Sequence, residues 1–374
     1  MKILYFSRDF STHDHRFLMK LAQTENQIYY LRLERKGKPL ENRFLPDKIY
    51  PVSWAGGEQP ARIFHSLKYL ASLKKIIKQI NPDLIQAGPI QTCALLTALA
   101  GFHPLVSTSW GSDLLVDADR SAWTRWATRY AIRNSDILVG DCRAVRDKAV
   151  EYGMADQNIV TFPWGIDLEH FTYKAPNNKG SDGFVLLSTR SWEPIYGVDV
   201  IAHAFVQVVQ ILRTQNKQES AANLRLIMLG SGSQETKIRQ IFKQAGIENQ
   251  VTFSGQVSQP DLPRYYGMAD LYVAASHTDG TSISLLEALA TGRPVLVSDI
   301  PGNREWITPG EQGWLFPDGD PQALANGILT AMFQRKRLNE MGICARKLAE
   351  KRANWEINFM SLIKAYELAR KKWN

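Results

Sequence analysis

Residues 276–306, SHTDGTSISLLEALATGRPVLVSDIPGNREW, decide how the chain is read. The run that leads into them, DLYVAAS (270–276), and the run RPVLVSD (293–299) have the length and apolar content of buried strands. Between them stand a Gly/Thr/Ser-rich turn and an amphipathic helix. Two carboxylates lie eight residues apart here: Asp279 in the turn, and Glu287 about one turn inside the helix. Turn amides together with a helix N-terminus favour a phosphate. A carboxylate just inside such a helix repels phosphate, but it accepts hydrogen bonds from ribose or hexose hydroxyls. A phosphate cradle flanked by two hydroxyl acceptors suits a nucleotide-sugar.

The same alternation of apolar runs and helical stretches extends in both directions. Upstream, strands are expected at 2–7, 27–33, 83–88, 104–109, 136–141 and 158–163, with helices over 61–80 and 121–134 among those between them. After a break, strands are expected at 183–190, 224–230 and 250–255. Continuous apolar strands separated by helices imply parallel sheets covered on both faces. The stretch APNNKGSD (175–182) has no apolar periodicity and reads as a linker. The expected organisation is an α/β chain with one doubly wound domain over 1–166 and a second over 183–355. A C-terminal helix over 356–374 is expected to pack back toward the first domain.

A chain of 374 residues suits two domains. Cys93, Cys142 and Cys344 have neither CxxC nor metal-ligand spacing, which fits a reducing compartment. The N-terminal MKILYFSRDF reads as a buried strand, and no apolar run approaches membrane-spanning length, so a cytoplasmic protein is expected. Of the net charge of +8, residues 1–165 carry +6 (22 Lys/Arg, 16 Asp/Glu). That asymmetry suits an anionic substrate or the surface of an anionic membrane. Nucleic acid is excluded for want of any zinc pattern, RNP-like motif or basic-region helix. Residues 120–133 gather Arg120, Trp123, Arg125, Trp126, Arg129, Tyr130 and Arg133. This reads as an amphipathic helix with aromatics inward and arginines solvated, or as an interfacial surface.

Further motifs accompany the acid pair. Thr189-Arg190-Ser191-Trp192-Glu193-Pro194-Ile195-Tyr196-Gly197 follows one strand, Leu229-Gly230-Ser231-Gly232-Ser233 another, and Val251-Thr252-Phe253-Ser254-Gly255-Gln256-Val257 forms a third. Together they resemble the retaining glycosyltransferases of family 4, with their E-x7-E signature and GT-B fold of two Rossmann-like domains facing each other across a cleft. The resemblance implies that Arg190 meets the donor diphosphate, with Tyr196 standing where the family has Lys. It places Gly232, Gln256 and Val257 at the nucleotide. The amides of Gly280, Thr281, Ser282 and Ile283 fall at the phosphates and sugar, Glu287 at ribose, and Asp279, shorter than the usual Glu, at the sugar's reacting face.

In the first half the resemblance is looser. The turn Arg8-Asp9-Phe10-Ser11-Thr12-His13 lacks the family's Gly pair and could contact sugar or acceptor through His13. Ser107-Thr108-Ser109-Trp110-Gly111-Ser112-Asp113 resembles T-x-H-G-x-D, with Trp110 at the His position and Asp113 expected to position the acceptor hydroxyl. Because Trp cannot act as a base, a base role at that place does not carry over. His13 and His15 have no further ligand cluster beside them, so no metal is expected. The resemblance implies a metal-independent, retaining hexosyltransferase with no cofactor beyond its donor. UDP-glucose is the donor by family frequency, and the acceptor is a polysaccharide, glycolipid or lipid-linked intermediate met at the membrane's inner face. The alternatives are a GT-B epimerase or a non-catalytic nucleotide-sugar-binding protein.

Overall fold

The computed structural model describes residues 1–37, 40–175 and 183–373. Seven strands, β1 (Lys2–Arg8), β2 (Gln27–Leu33), β3 (Ile49–Val52), β4 (Leu84–Ala87), β5 (Leu105–Thr108), β6 (Ile137–Gly140) and β7 (Ile159–Thr161), form one sheet in the order β3-β2-β1-β4-β5-β6-β7. Six more, β8 (Phe184–Ser188), β9 (Leu224–Leu229), β10 (Val251–Gly255), β11 (Leu271–Ala274), β12 (Val295–Ser298) and β13 (Gly313–Phe316), form another in the order β10-β9-β8-β11-β12-β13. The pairings are parallel in both sheets. Every residue of β4, β5, β6, β11 and β12 is buried, as expected of strands covered on both faces.

The chain divides into two units, Met1–Phe162 with Phe359–Asn374, and Pro163–Asn358. The division falls ahead of the expected linker, whose residues 176–182 lie outside the described residues. The reason lies in packing. Ile166 and Phe171 are buried in the second unit's core beside Tyr266 and Leu286, and Ile166 pairs with Asn354. The C-terminal helix Met360–Lys371 belongs to the first unit. There the Tyr366 hydroxyl donates to Gln86, and the Trp373 indole N–H donates to Asp136 Oδ1 at 2.8 Å.

In each sheet the strand order reverses beside its first strand, between β1 and β4 and between β8 and β11. The loops leaving the two strands at such a switch point diverge to opposite faces, which opens a crevice beyond their carboxyl ends. Of the four edge strands, β7 and β10 were expected from the sequence and β3 and β13 were not. IYPV carries a proline and exposes two residues, and GWLF is short and only half-buried at its centre.

Candidate functional site

In the second unit, the loops after β8 and β11 bring Arg190 and Asp279 together at the switch point. Arg190 Nη2 lies 2.7 Å from Asp279 Oδ2, and Nη1 donates to Ser282 Oγ at 3.1 Å and Ser284 Oγ at 3.3 Å. The Tyr196 ring lies under the guanidinium, 4.1 Å from its centroid to the central carbon. Tyr196 therefore does more than take the family's Lys position: it seats the remaining cation by cation–π attraction. Burial opposes the charge on Arg190 most strongly, but the Asp279 carboxylate together with Tyr196, Tyr272 and Tyr266 outweighs it and holds the pKa above the ordinary value. Burial pushes the Asp279 carboxyl upward, against the lowering by Arg190, the Gly280 N–H and the Ser282 hydroxyl.

The helix Ile283–Ala290 starts here because Ser282 caps it, its side chain accepting from Leu285 N. Ser284 through Ala290 are all buried, which fixes the helix on the sheet. The turn before it lies hard against the short helix Pro301–Arg304. A Cβ on Gly302 would meet Gly280 O and sit 2.7 Å from Asp279 O, so only glycine lets the turn approach. Gly280, Thr281 and Ser282 are buried, and Ile283 is half-buried at the helix start. Glu287, one turn further in, accepts at 2.8 Å from the Tyr266 hydroxyl, which also reaches Ser284 O and Thr189 Oγ1. Burial, and next the charge of Glu287, raise the Tyr266 pKa well above the ordinary phenol value, so this hydroxyl stays a donor.

Three more predicted residues lie at the carboxyl ends of β9 and β10. A Cβ on Gly232 would collide with the Trp192 backbone, so that glycine serves the close approach of two loops. Gln256 is exposed and Val257 half-buried beyond β10, whose Gly255 O accepts from Gly230 N at 2.7 Å. The sequence reading missed Thr189, Tyr266, Tyr272 and Ser284. The Tyr272 hydroxyl donates to Ser284 Oγ at 2.9 Å, completing a hydroxyl scaffold behind Arg190. The signal was a hydroxyl inside otherwise apolar runs, which reads as an ordinary core tyrosine.

In the first unit, Asp113 is buried and its carboxylate is occupied by the fold. Oδ2 accepts from Ile90 N at 3.0 Å; Oδ1 accepts from Ser109 Oγ at 2.7 Å and Trp110 N at 3.0 Å. It ties the loop after β4 to the loop after β5, the action of a positioning residue. His13 stacks on Trp110 with ring centroids 5.7 Å apart, and Phe17 meets the other edge of that indole. Where the family has its Gly pair, Asp9 and Phe10 hold positive φ angles of 67° and 36°. Asp9 supports the turn by accepting from Arg35 N at 2.8 Å. Among the described residues no group of three or more His, Cys, Asp or Glu could hold a metal ion.

A pair of doubly wound sheets, one with a guanidinium, a capped helix and two carboxylates at its switch point, defines an α/β protein of the GT-B fold. The chain belongs to the group 1 glycosyltransferases. The model "Glycosyl transferases group 1" matches residues 170–348, and "Glycosyl transferase 4-like" matches residues 2–141, including the first-half stretch where the motif resemblance is loose. A phosphatidyl-myo-inositol mannosyltransferase of Mycobacterium leprae is 29% identical over 60% of this chain and 58% of its own length. The chain thus spans less than two thirds of that relative. Among solved structures, Anabaena Alr3699/HepE in complex with UDP and glucose is similar over 98% of this chain and 99% of its own, with a TM-score of 0.76 at 19% identity. Sucrose-phosphate synthase from Thermosynechococcus elongatus is similar over 98% of each chain, with a TM-score of 0.78 at 18% identity.

Proposed function

We propose that the protein is a metal-independent, retaining hexosyltransferase that takes a hexose from a nucleoside diphosphate donor, UDP-glucose first among candidates. The observation that carries this is the Arg190 guanidinium, fixed between Asp279, Ser282, Ser284 and the Tyr196 ring at the mouth of a capped helix. Breaking the bond between the anomeric carbon and the diphosphate leaves negative charge on the departing oxygen. Arg190 and the first amides of the helix meet that charge without a metal. Glu287, held by Tyr266, is oriented to accept from ribose hydroxyls, and Asp279 from the sugar. On this reading Gly232, Gln256 and Val257 frame the nucleoside.

The acceptor falls to the first unit, at Trp110 and His13, with Asp113 setting their loop. A lipid-linked acceptor at an anionic membrane surface suits that unit best. Phe64 and Leu67 are 91% and 80% exposed, and no acid occurs between Glu58 and Asp83, a stretch that holds Arg62, Lys68, Lys74, Lys75 and Lys78. Trp123 and Trp126, expected inward, are about half exposed beside Arg125 and Arg129, while Ala127, Ala131 and Ile132 face the core. The helix Ser66–Ile80, which carries Leu67 and the lysines and follows the short turn Ile63–His65 that holds Phe64, and the helix Ala122–Arg133 both pack on the helix Leu95–Ala100. Aromatic and aliphatic tips among cations match an interfacial surface. Among the described residues no helix is long and apolar enough to cross a membrane.

A panel of UDP-, GDP- and ADP-hexoses scored by nucleotide release, with and without chelator, tests the donor reading. Release from UDP-glucose that survives chelation is expected; UDP affinity with no release would leave a binding protein. Sedimentation with phosphatidylglycerol against phosphatidylcholine vesicles tests the surface. Preference for the anionic vesicles, lost in Phe64→Ala/Leu67→Ala, is expected.

A further inference from the structure

We propose that Asp279 is the resident anion of the donor cradle: its carboxylate occupies the edge of Arg190 that the donor diphosphate must take, so nucleotide binding is an exchange of one anion for another. This rests on the reading of the second unit as the donor site. It goes further in giving Asp279 a task before any sugar arrives.

The geometry of the guanidinium carries the argument. An arginine offers a bidentate edge through Nε and Nη2. Here Nη2 forms an ion pair with Asp279 Oδ2 at 2.7 Å, and neither that oxygen nor Nε makes a hydrogen bond among the described residues. Nη1 is already directed at Ser282 and Ser284, and the face is covered by Tyr196. The Nε side is therefore the approach left to a diphosphate, and the Asp279 charge stands beside it at Nη2. The carboxylate is also drawn to the Gly280 N–H and the Ser282 hydroxyl, two of the donors expected to serve phosphate. Asp279 thus sits within the cradle's own set of donors.

Two departures from the family pattern reinforce this. Tyr196 in the Lys position leaves the cradle with one cation fewer, so a single resident carboxylate cancels most of its charge. Aspartate is one methylene shorter than glutamate, which keeps the carboxylate close to its own turn and to Arg190. When a diphosphate takes the Nε/Nη2 edge, its greater charge displaces Asp279. The freed carboxylate then becomes an acceptor for the donor sugar's hydroxyls. Affinity is lowered so that the acid is released only when a donor is present.

Calorimetric titration of UDP and of uridine into the wild type, Asp279→Asn and Asp279→Glu tests this. Asp279→Asn is expected to bind UDP about tenfold more tightly, the scale of one opposite-charge contact at such a site. Uridine affinity should not change, and Asp279→Glu should remove the gain. In turnover, kcat and KM should fall together in Asp279→Asn, a split that a merely structural aspartate would not give. A wild type that binds no UDP overturns the donor reading itself. A wild type that binds UDP, beside a folded Asp279→Asn that binds it equally or more weakly, overturns only the exchange. Should Asp279→Asn fail to fold, Asp279→Ser removes the same charge and is scored by the same criteria.

Discussion

The carboxyl ends of the two sheets treat their charged residues in opposite ways. Beyond β8 and β11, Arg190, Asp279 and the hydroxyls of Ser282 and Ser284 face one another in a cluster that a ligand could enter, and Glu287 lies one turn behind. Beyond β1, β4 and β5, the acids are turned onto the protein's own backbone. Asp9 accepts from Arg35 N, Asp14 caps its helix through Ser11 N, and Asp113 joins two loops. The second unit is built to grip an anion of fixed chemistry. The first is built to hold loops whose aromatic side chains include Trp110, which is neither acid nor base, stacked on His13. On the proposed function, donor recognition resides in charge and acceptor recognition in shape.

Removing the cation is the hardest test of that contrast. Arg190→Ala should lower the rate of nucleotide release by about a thousandfold, the loss seen when a principal donor to a developing anion is deleted. The first unit should keep its fold, checked by its protection in hydrogen exchange. A loss below tenfold would mean that the helix amides alone carry the leaving group. Next in size, Glu287→Gln should weaken UDP binding by about tenfold to a hundredfold, because a charged acceptor contributes about 1.5–3 kcal/mol in a buried site. If Tyr266→Phe has a similar but smaller effect, the phenol acts through the orientation of Glu287.

Why one end was legible in the sequence and the other was not follows from the same contrast. Anion binding needs particular groups at particular spacings: an arginine after a strand, a capping serine, acids eight apart. These leave a pattern in one dimension. The inner strands were legible for a similar reason, since burial on both faces demands an unbroken apolar run. The edge strands β3 and β13 escape that demand and were missed, although the partly buried edge strands β7 and β10 were still legible. In the first unit, positive φ at Asp9 and Phe10 shows that the turn keeps a shape usually supplied by glycine while its residues differ. Backbone geometry of that kind is invisible to a pattern of residue types. Asp113 was legible as a motif residue, but its three backbone and hydroxyl donors stand 3 to 23 positions away, so its task could be read only after folding.

Asp113 gives a sharper, smaller test. Asp113→Ala leaves the buried N–H groups of Ile90 and Trp110 without acceptors and should cost about 1–3 kcal/mol of stability, read as a lower denaturant midpoint. UDP affinity should be unchanged. A variant of wild-type stability but slow turnover would instead make the carboxylate a direct partner of the acceptor.

The smallest effect is expected at the aromatic pair. Trp110 and His13 stack with an interplanar angle of 19°, and Phe17 meets the indole at 72°, so the indole is wedged between two rings. Trp110→Phe keeps an aromatic face but is smaller, and His13 loses part of its stacking surface. Aromatic contacts of this kind contribute about 0.5–1.5 kcal/mol, so the acceptor's KM should rise by about twofold to tenfold. The KM for donor and the UDP affinity should stay at wild-type values, because no charge is altered. Trp110→His restores the family's residue type without its partners, as Asp113 is already engaged by backbone donors. It should therefore behave like Trp110→Phe and gain no new ionisation in the pH profile of kcat. Such an ionisation would show that a base had been supplied to the acceptor, and that shape alone does not govern this end of the molecule.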